Sequence, residues 1–230
     1  MGRPSVGLSL LVVTGCSPLY APPIRGLHAG MPGRLRGGQL EAGLTVGGLV
    51  VPTMGGPHVG YGVSDSVTAE GGVNLNTVNF WLAQWATGWA GIRFTHRLSL
   101  SRIRIIGDAE LGAGAGAGGT SGNFSRWNEL RAYGIYEGVG LGLQWRWLGI
   151  YLRARLDAAA SSAAPTTLWP SAMLGVELRP GRRFSVGLGG GYGGYWNTSQ
   201  FWSGWFYQAQ VAFIFDLLEQ QVPLTERAGS

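Results

Sequence analysis

Apolar and polar residues alternate with a period of two along most of the chain after the first 36 residues. In the segment 102–111, Ile103, Ile105 and Leu111 share one face, whereas Arg104 and Glu110 lie on the other. A period of two indicates β-strands, because successive side chains of a strand point to opposite faces. The chain is therefore predicted to be all-β.

Marking each run of this pattern predicts ten strands. They fall at residues 37–51, 57–63, 66–76, 85–95, 99–112, 130–145, 149–160, 168–179, 182–195 and 203–216. An alternative of eight strands remains, because 57–63 and 66–76 could be loop. The sequence between Tyr61 and Val67 is typical of a hairpin turn flanked by alternating residues, which favours ten.

The predicted connections alternate in length along the chain. Short turns are expected at 64–65, 96–98, 146–148 and 180–181, and longer links at 52–56, 77–84, 113–129, 161–167 and 196–202. This alternation, with both ends of the strand series on the short-turn side, is the wiring of bacterial outer-membrane barrels. The pattern predicts an antiparallel up-and-down transmembrane β-barrel.

Composition favours a membrane barrel over a soluble one. Charged residues make up only 13% and apolar residues 45%, with 41 glycines and 10 tryptophans. So few polar residues cannot cover an outer surface, but they can fill a narrow lumen. On the strand 182–195, Phe184 and Tyr192 are about 20 Å apart along the barrel axis, which suits two interfacial aromatic girdles. Closure is expected because open sheet edges leave amides unpaired in lipid.

The net charge of +5 does not indicate a nucleic-acid partner, because the arginines alternate with apolar residues instead of forming a run. Near the end of the last strand, Phe213-Ile214-Phe215 resembles the aromatic end signal that the outer-membrane barrel assembly machinery reads. That resemblance implies outer-membrane lipids, lipopolysaccharide and this machinery as partners. The sequence leaves the oligomeric state open.

The single cysteine, Cys16, follows a charged start and an apolar run, which is the outline of a secretion signal. The motif Val13-Thr14-Gly15-Cys16 resembles the bacterial lipobox. This resemblance implies lipid attachment at Cys16, the lipoprotein processing machinery as a further partner, and an anchor in the periplasmic leaflet of the outer membrane. The alternative is an ordinary signal peptide with an incidental cysteine.

Four regions are therefore expected. They are a lipoprotein signal peptide at 1–15, a proline-rich unstructured tether at 16–36, the transmembrane barrel at 37–216 and a periplasmic C-terminal tail at 217–230. Both termini of the mature protein are expected on the periplasmic side.

Projecting the polar strand faces inward predicts a charged network in the periplasmic half of the lumen. Its members are Glu41, Glu70, Arg93, Arg102, Arg104, Arg153, Arg155, Glu177 and Asp216. Charges in so narrow a space must pair, so the favoured interpretation is a side-chain plug that sets register. The other interpretation is a charged filter. Glycines at 138, 140, 142, 189, 191 and 193 are predicted near the loop end, where they allow strong curvature or form a shallow vestibule.

Catalysis has little support in the sequence. None of the histidines has a serine or carboxylate at a useful spacing. Some small outer-membrane barrels are enzymes with sites at the outer rim, where Asp108, Glu110, Asp157 and His58 are expected. The glycine-rich run 112–119 lacks a following lysine, so a flexible loop is predicted instead of a phosphate site. No metal site and no cofactor are expected.

The sequence thus favours a lipid-anchored outer-membrane barrel with a structural or surface-interaction role and a largely filled lumen. Two alternatives stay open, a narrow channel for anions or small solutes and a lipid-modifying enzyme.

Overall fold

The computed structural model describes residues 21–25, 30–49, 53–78, 83–120, 130–162, 164–181, 183–198 and 201–217. The predicted signal peptide, Cys16 and all but the first residue of the predicted tail lie outside these ranges. The described chain forms ten strands, β1 to β10. Their bounds are Gln39–Leu49, Thr53–Gly62, Val67–Val78, Ala83–Leu100, Ile103–Thr120, Leu130–Trp145, Leu148–Ser161, Thr167–Leu178, Phe184–Trp196 and Phe201–Asp216.

Each strand pairs antiparallel with its neighbours in sequence, and β1 closes the sheet by pairing with β10. The closing register runs from Gln39 opposite Asp216 to Leu49 opposite Phe206. The prediction of an all-β up-and-down barrel is confirmed. Ten strands are confirmed over eight, because β2 and β3 pair with each other and with both flanking strands.

The predicted connections on both sides of β5 were wrong. The expected turn at 96–98 lies within β4, and the chain turns at 101–102 instead, where Ser101 adopts a φ of 51°. The expected loop after residue 112 continues as strand up to Thr120. This alanine and glycine run pairs with β4 on one side and β6 on the other, so its backbone N–H and C=O groups find hydrogen-bond partners on both edges.

Two ends of the barrel are distinguished below. The turn end carries the links 63–66, 101–102, 146–147 and 179–183 and the start of β1. The loop end carries the links 50–52, 79–82, 121–129, 162–166 and 197–200. Among the links set by these strand bounds, only 121–129 is clearly longer than the rest, so the predicted alternation of lengths is weaker than expected. Residues assigned to loops were absorbed into longer strands.

The outer wall of the barrel is apolar and exposed. Leu111 is 56% exposed, Val139 61% and Trp205 74%. Aromatic side chains gather near both ends of this wall, with Trp145 and Trp147 at the turn end. A soluble barrel would present polar residues here, whereas an apolar band between aromatic girdles suits a lipid environment.

The described part of the chain contains no helix with the length and apolar character that crossing a membrane would require.

The lumen and its plug as candidate functional site

The lumen is occupied by the chain itself. Residues 21–25 and 30–35, called the plug segment here, are buried inside the barrel. Ile24 and Ala21 are 0% exposed, and Arg25 and Met31 are 1% exposed. The prediction of an unstructured tether was therefore wrong for these residues. Their prolines do prevent regular structure, but the barrel wall supplies the packing and hydrogen bonds that a free tether would lack.

The plug segment runs along the lumen from the loop end to the turn end. Ala21 donates its backbone N–H to Thr167 Oγ1 at 3.1 Å, and Thr167 is the first residue of β8 at the loop end. At the other end, Arg97 donates to the carbonyl oxygen of Gly33 at 2.8 Å and to that of Leu35. Arg97 lies close to the turn end of β4. The segment therefore spans most of the lumen.

Glycines of the wall make room for this segment. A Cβ built on Gly134 would lie 2.9 Å from Ile24 Cγ1, and one on Gly142 would lie 2.8 Å from Met31 Cε. Such distances are too short for real side chains, so a larger residue at either position would require the facing plug side chain to shift. The glycines of β6 therefore admit the chain's own N-terminal segment.

The glycine wall predicted near the loop end is divided in the structure. Gly142 lies toward the turn end of β6, and Gly191 lies toward the loop end of β9. A Cβ on Gly191 would lie 2.6 Å from Phe206 Cζ, so this glycine makes room for a neighbouring wall side chain. Neither of these two positions lines an open vestibule, whereas Gly138 and Gly193 border a cavity of about 800 Å³.

Arg25 is the central contact between plug and wall. Its guanidinium pairs with Glu70 of β3 and with Glu110 of β5, the latter at 3.1 Å between Nη1 and Oε2. The same guanidinium lies 4.1 Å from the ring centroid of Trp89. The Arg25 backbone N–H donates to Asp157 Oδ1 at 3.1 Å. One plug residue thus joins four strands.

A second arginine, Arg34, anchors the plug segment near the turn end. It pairs with Glu41 of β1 and with Glu177 of β8, the latter at 3.2 Å, and it donates to Ser185 Oγ at 3.1 Å. Glu177 also accepts the backbone N–H of Met31 at 2.8 Å. This carboxylate is 0% exposed and holds two residues of the plug.

The remaining ion pairs link wall strands to one another. Arg153 of β7 donates to Asp108 of β5 at 2.7 Å, and Arg155 Nε donates to Glu110 at 3.0 Å. Arg93 of β4 donates to Glu110 at 2.8 Å. Asp108, Glu110 and Asp157 were expected at the outer rim, and this was wrong, because all three are buried within the lumen.

Six of the nine predicted network residues lie in the buried network. These are Glu41, Glu70, Arg93, Arg153, Arg155 and Glu177. Arg102 and Arg104 are exposed at the turn end, and Asp216 is only partly covered at the end of β10. Their positions in the period-two pattern are inward, but the ends of the strands are open to solvent.

Charge balance explains why the plug segment carries arginines. Among the described residues, the wall buries six carboxylates, Glu41, Glu70, Asp108, Glu110, Asp157 and Glu177. It buries three arginines, Arg93, Arg153 and Arg155. Buried charges without partners are strongly destabilising. The two plug arginines and the partly exposed Arg179, which pairs with Glu177, bring cations equal in number to the acids.

Sequence reasoning missed Arg25 and Arg34, because the plug segment has no strand periodicity that would assign it a face. The only available signal was the excess of acids over arginines at inward strand positions. That excess becomes visible only when Asp108, Glu110 and Asp157 are placed in the same network.

His58 lies in the middle of β2 and is 6% exposed. Its Nε2 is 3.2 Å from Glu41 Oε1 and 3.1 Å from Gln210 Nε2. A histidine enclosed in this way is not accessible to a substrate at the rim, where sequence reasoning had expected it. Within the described ranges, no group of three or more His, Cys, Asp and Glu side chains could hold a metal ion. The expectation that the protein is not an enzyme remains a prediction.

No protein-family model matches the sequence, and no curated protein matches it either. Solved outer-membrane barrels share its general fold. The N-terminal β-barrel domain of OprF from Pseudomonas aeruginosa has 10% identity and a TM-score of 0.38, over 78% of this chain and 98% of that one. The outer membrane protease OmpT from Escherichia coli has 8% identity and a TM-score of 0.30, over 76% and 92%. The translocator domain of the autotransporter NalP from Neisseria meningitidis has 12% identity and a TM-score of 0.31, over 77% and 87%.

Proposed function

We propose that the protein is an outer-membrane β-barrel whose lumen is closed by its own N-terminal segment. Its role is structural or surface-interacting instead of conductive. The observation that carries this proposal is Arg25, which is 1% exposed in the lumen and paired with carboxylates of β3 and β5. Outer-membrane lipids and lipopolysaccharide surround the apolar wall. Attachment of a lipid at Cys16 is part of the proposal.

Little free volume remains beside Arg25 of the plug segment, whereas a larger cavity of about 800 Å³ borders Glu110, Arg155 and Ser171 of the wall. The cavity bounded by Pro23, Arg25, Asp157 and Trp169 has a volume of about 20 Å³. A single water needs about 10–15 Å³ measured in this way, so the cavity admits about one water and no hydrated ion. This supports a lumen closed at the level of Arg25 over the narrow channel that the sequence left open.

Planar-bilayer recordings test whether the lumen is closed. The wild-type protein should give no steady conductance above that of the bare membrane, and steady conductance would overturn the proposal. A double variant, Arg25→Ala with Arg34→Ala, should conduct, because both ionic anchors of the plug are lost. Arg36→Ala is the matched control, since Arg36 follows the plug but is exposed.

Adding a peptide of residues 19–36 should restore closure of the double variant. If the folded double variant is as silent as wild type, the plug is not what closes the lumen, and that part of the proposal fails.

A further inference from the structure

The path of the plug segment also determines where the preceding chain emerges. The first strand begins at the turn end, where Gln39 lies opposite Asp216. A tether running straight into β1 would stay at that end. Instead, Ala21 lies at the loop end, and the chain that follows it reaches β1 only after passing through the lumen.

Two hydrogen bonds hold Ala21 at the loop end. Its N–H donates to Thr167 Oγ1 at 3.1 Å, and its carbonyl oxygen accepts from Trp169 Nε1 at 2.8 Å. Ala21 is 0% exposed, and it packs in one apolar cluster with Ile24, Trp89 and other buried residues. Both polar groups of its backbone are thus fixed by β8, close to the first residue of that strand.

The residues after Ala21 are also held by the wall, at positions that lead from the loop end toward the turn end. Asn74 donates to the Pro23 carbonyl oxygen at 3.3 Å, and Thr87 donates to the Ile24 carbonyl oxygen at 2.9 Å. Arg25 then reaches the central carboxylates, and Arg34 reaches Glu177 nearer the turn end. These contacts fix one polarity of the chain in the lumen, with lower residue numbers toward the loop end.

We infer that the chain preceding Ala21 leaves the barrel at the loop end. The two ends of the plug segment then face opposite sides of the membrane. This inference rests on the proposed membrane location and adds the topology of the N-terminal residues. Five residues span at most about 18 Å, so Cys16 stays within that distance of Ala21. A lipid on Cys16 would then enter the leaflet at the loop end, opposite to the side where β10 ends.

Epitope accessibility in intact Gram-negative cells tests this topology. One short epitope is inserted, in separate full-length variants, between Pro18 and Leu19, after Thr198 at the loop end, and after Gly181 at the turn end. Antibody binding is compared before and after permeabilisation of the outer membrane. The first two variants should behave alike, and the Gly181 variant should show the opposite accessibility.

The result that overturns the inference is an N-terminal epitope that behaves like the Gly181 epitope while the Thr198 epitope differs. If all three epitopes behave alike, the barrel does not span the membrane, and the proposed function fails as well. The two failures are therefore distinguishable.

Spin-label distances in the purified protein give a second measurement that does not depend on cell-surface processing. In a Cys16→Ser background, Leu19→Cys is paired with Thr198→Cys or with Gly181→Cys. The two partner sites flank β9 and lie about 30 Å apart along the barrel axis. The distance to position 198 should be clearly the shorter one, and a shorter distance to position 181 would overturn the inference.

Discussion

Replacing Arg25 by methionine removes the central anchor of the plug while keeping a side chain of similar length. The change leaves Glu70 and Glu110 buried with one cation fewer. Breaking a buried ion pair costs about 3–5 kcal/mol when the remaining charge has no other partner. Here both carboxylates keep Arg93, at 2.9 Å and 2.8 Å, so the loss should fall near the lower limit.

The contact between Arg25 and the Trp89 ring adds a further contribution of about 0.5–2 kcal/mol. Methionine recovers part of this by packing against the same ring. The expected loss in the free energy of unfolding is therefore about 3 kcal/mol, which corresponds to a factor of about 150 in the folding equilibrium.

Reversible urea unfolding in phospholipid vesicles, followed by tryptophan fluorescence, measures this loss. Arg36→Met is the matched control, because Arg36 is exposed, and it should change the free energy by less than about 0.5 kcal/mol. Adding Glu70→Gln to Arg25→Met should restore part of the loss, since the neutral amide no longer requires the cation. Equal stabilities of Arg25→Met and Arg36→Met would refute the assignment of Arg25 as the anchor.

Three further variants probe the fit of plug and wall. Gly142→Val should displace the plug segment and make it sensitive to added protease, because its Cβ would lie 3.0 Å from the rigid ring of Pro32 as well as 2.8 Å from Met31 Cε. Gly88→Ala, with only one atom near at 3.9 Å, should leave protease resistance unchanged. Trp169→Phe removes the hydrogen bond to Ala21 and should cost about 1 kcal/mol in unfolding free energy, and no loss would show that this bond does not hold the segment. Glu137→Leu should stabilise the barrel in lipid by about 1 kcal/mol, because this carboxylate is exposed on the apolar outer wall, and a loss of stability would mean that it has a polar partner there.

The strands could be predicted from the sequence because their information is local. The alternation of Ile103 and Ile105 with Arg104 assigns inward and outward faces without knowledge of any partner strand. The bounds were harder to predict, as the extension of β5 to Thr120 shows. Its alanines and glycines have weak strand preference, and pairing with both neighbours makes them strand.

About two thirds of the predicted lumen network is found in the structure, because the period-two alternation along a strand determines which side chains point inward. This alternation does not tell how far along the barrel axis a side chain lies, so it could not separate the buried Arg153 from the exposed Arg104. Nor could it place Asp108 and Asp157 in the buried centre, since depth depends on the stagger between strands after closure.

The sequence alone therefore determined an all-β chain, its number of strands, an apolar outer wall and a charged interior. Only the tertiary structure decided what fills that interior. Residues 21–25 and 30–35 have no pattern of their own, and their positions follow from carboxylates and glycines contributed by distant strands. Those groups form one complementary surface only when β1 meets β10 and the barrel closes.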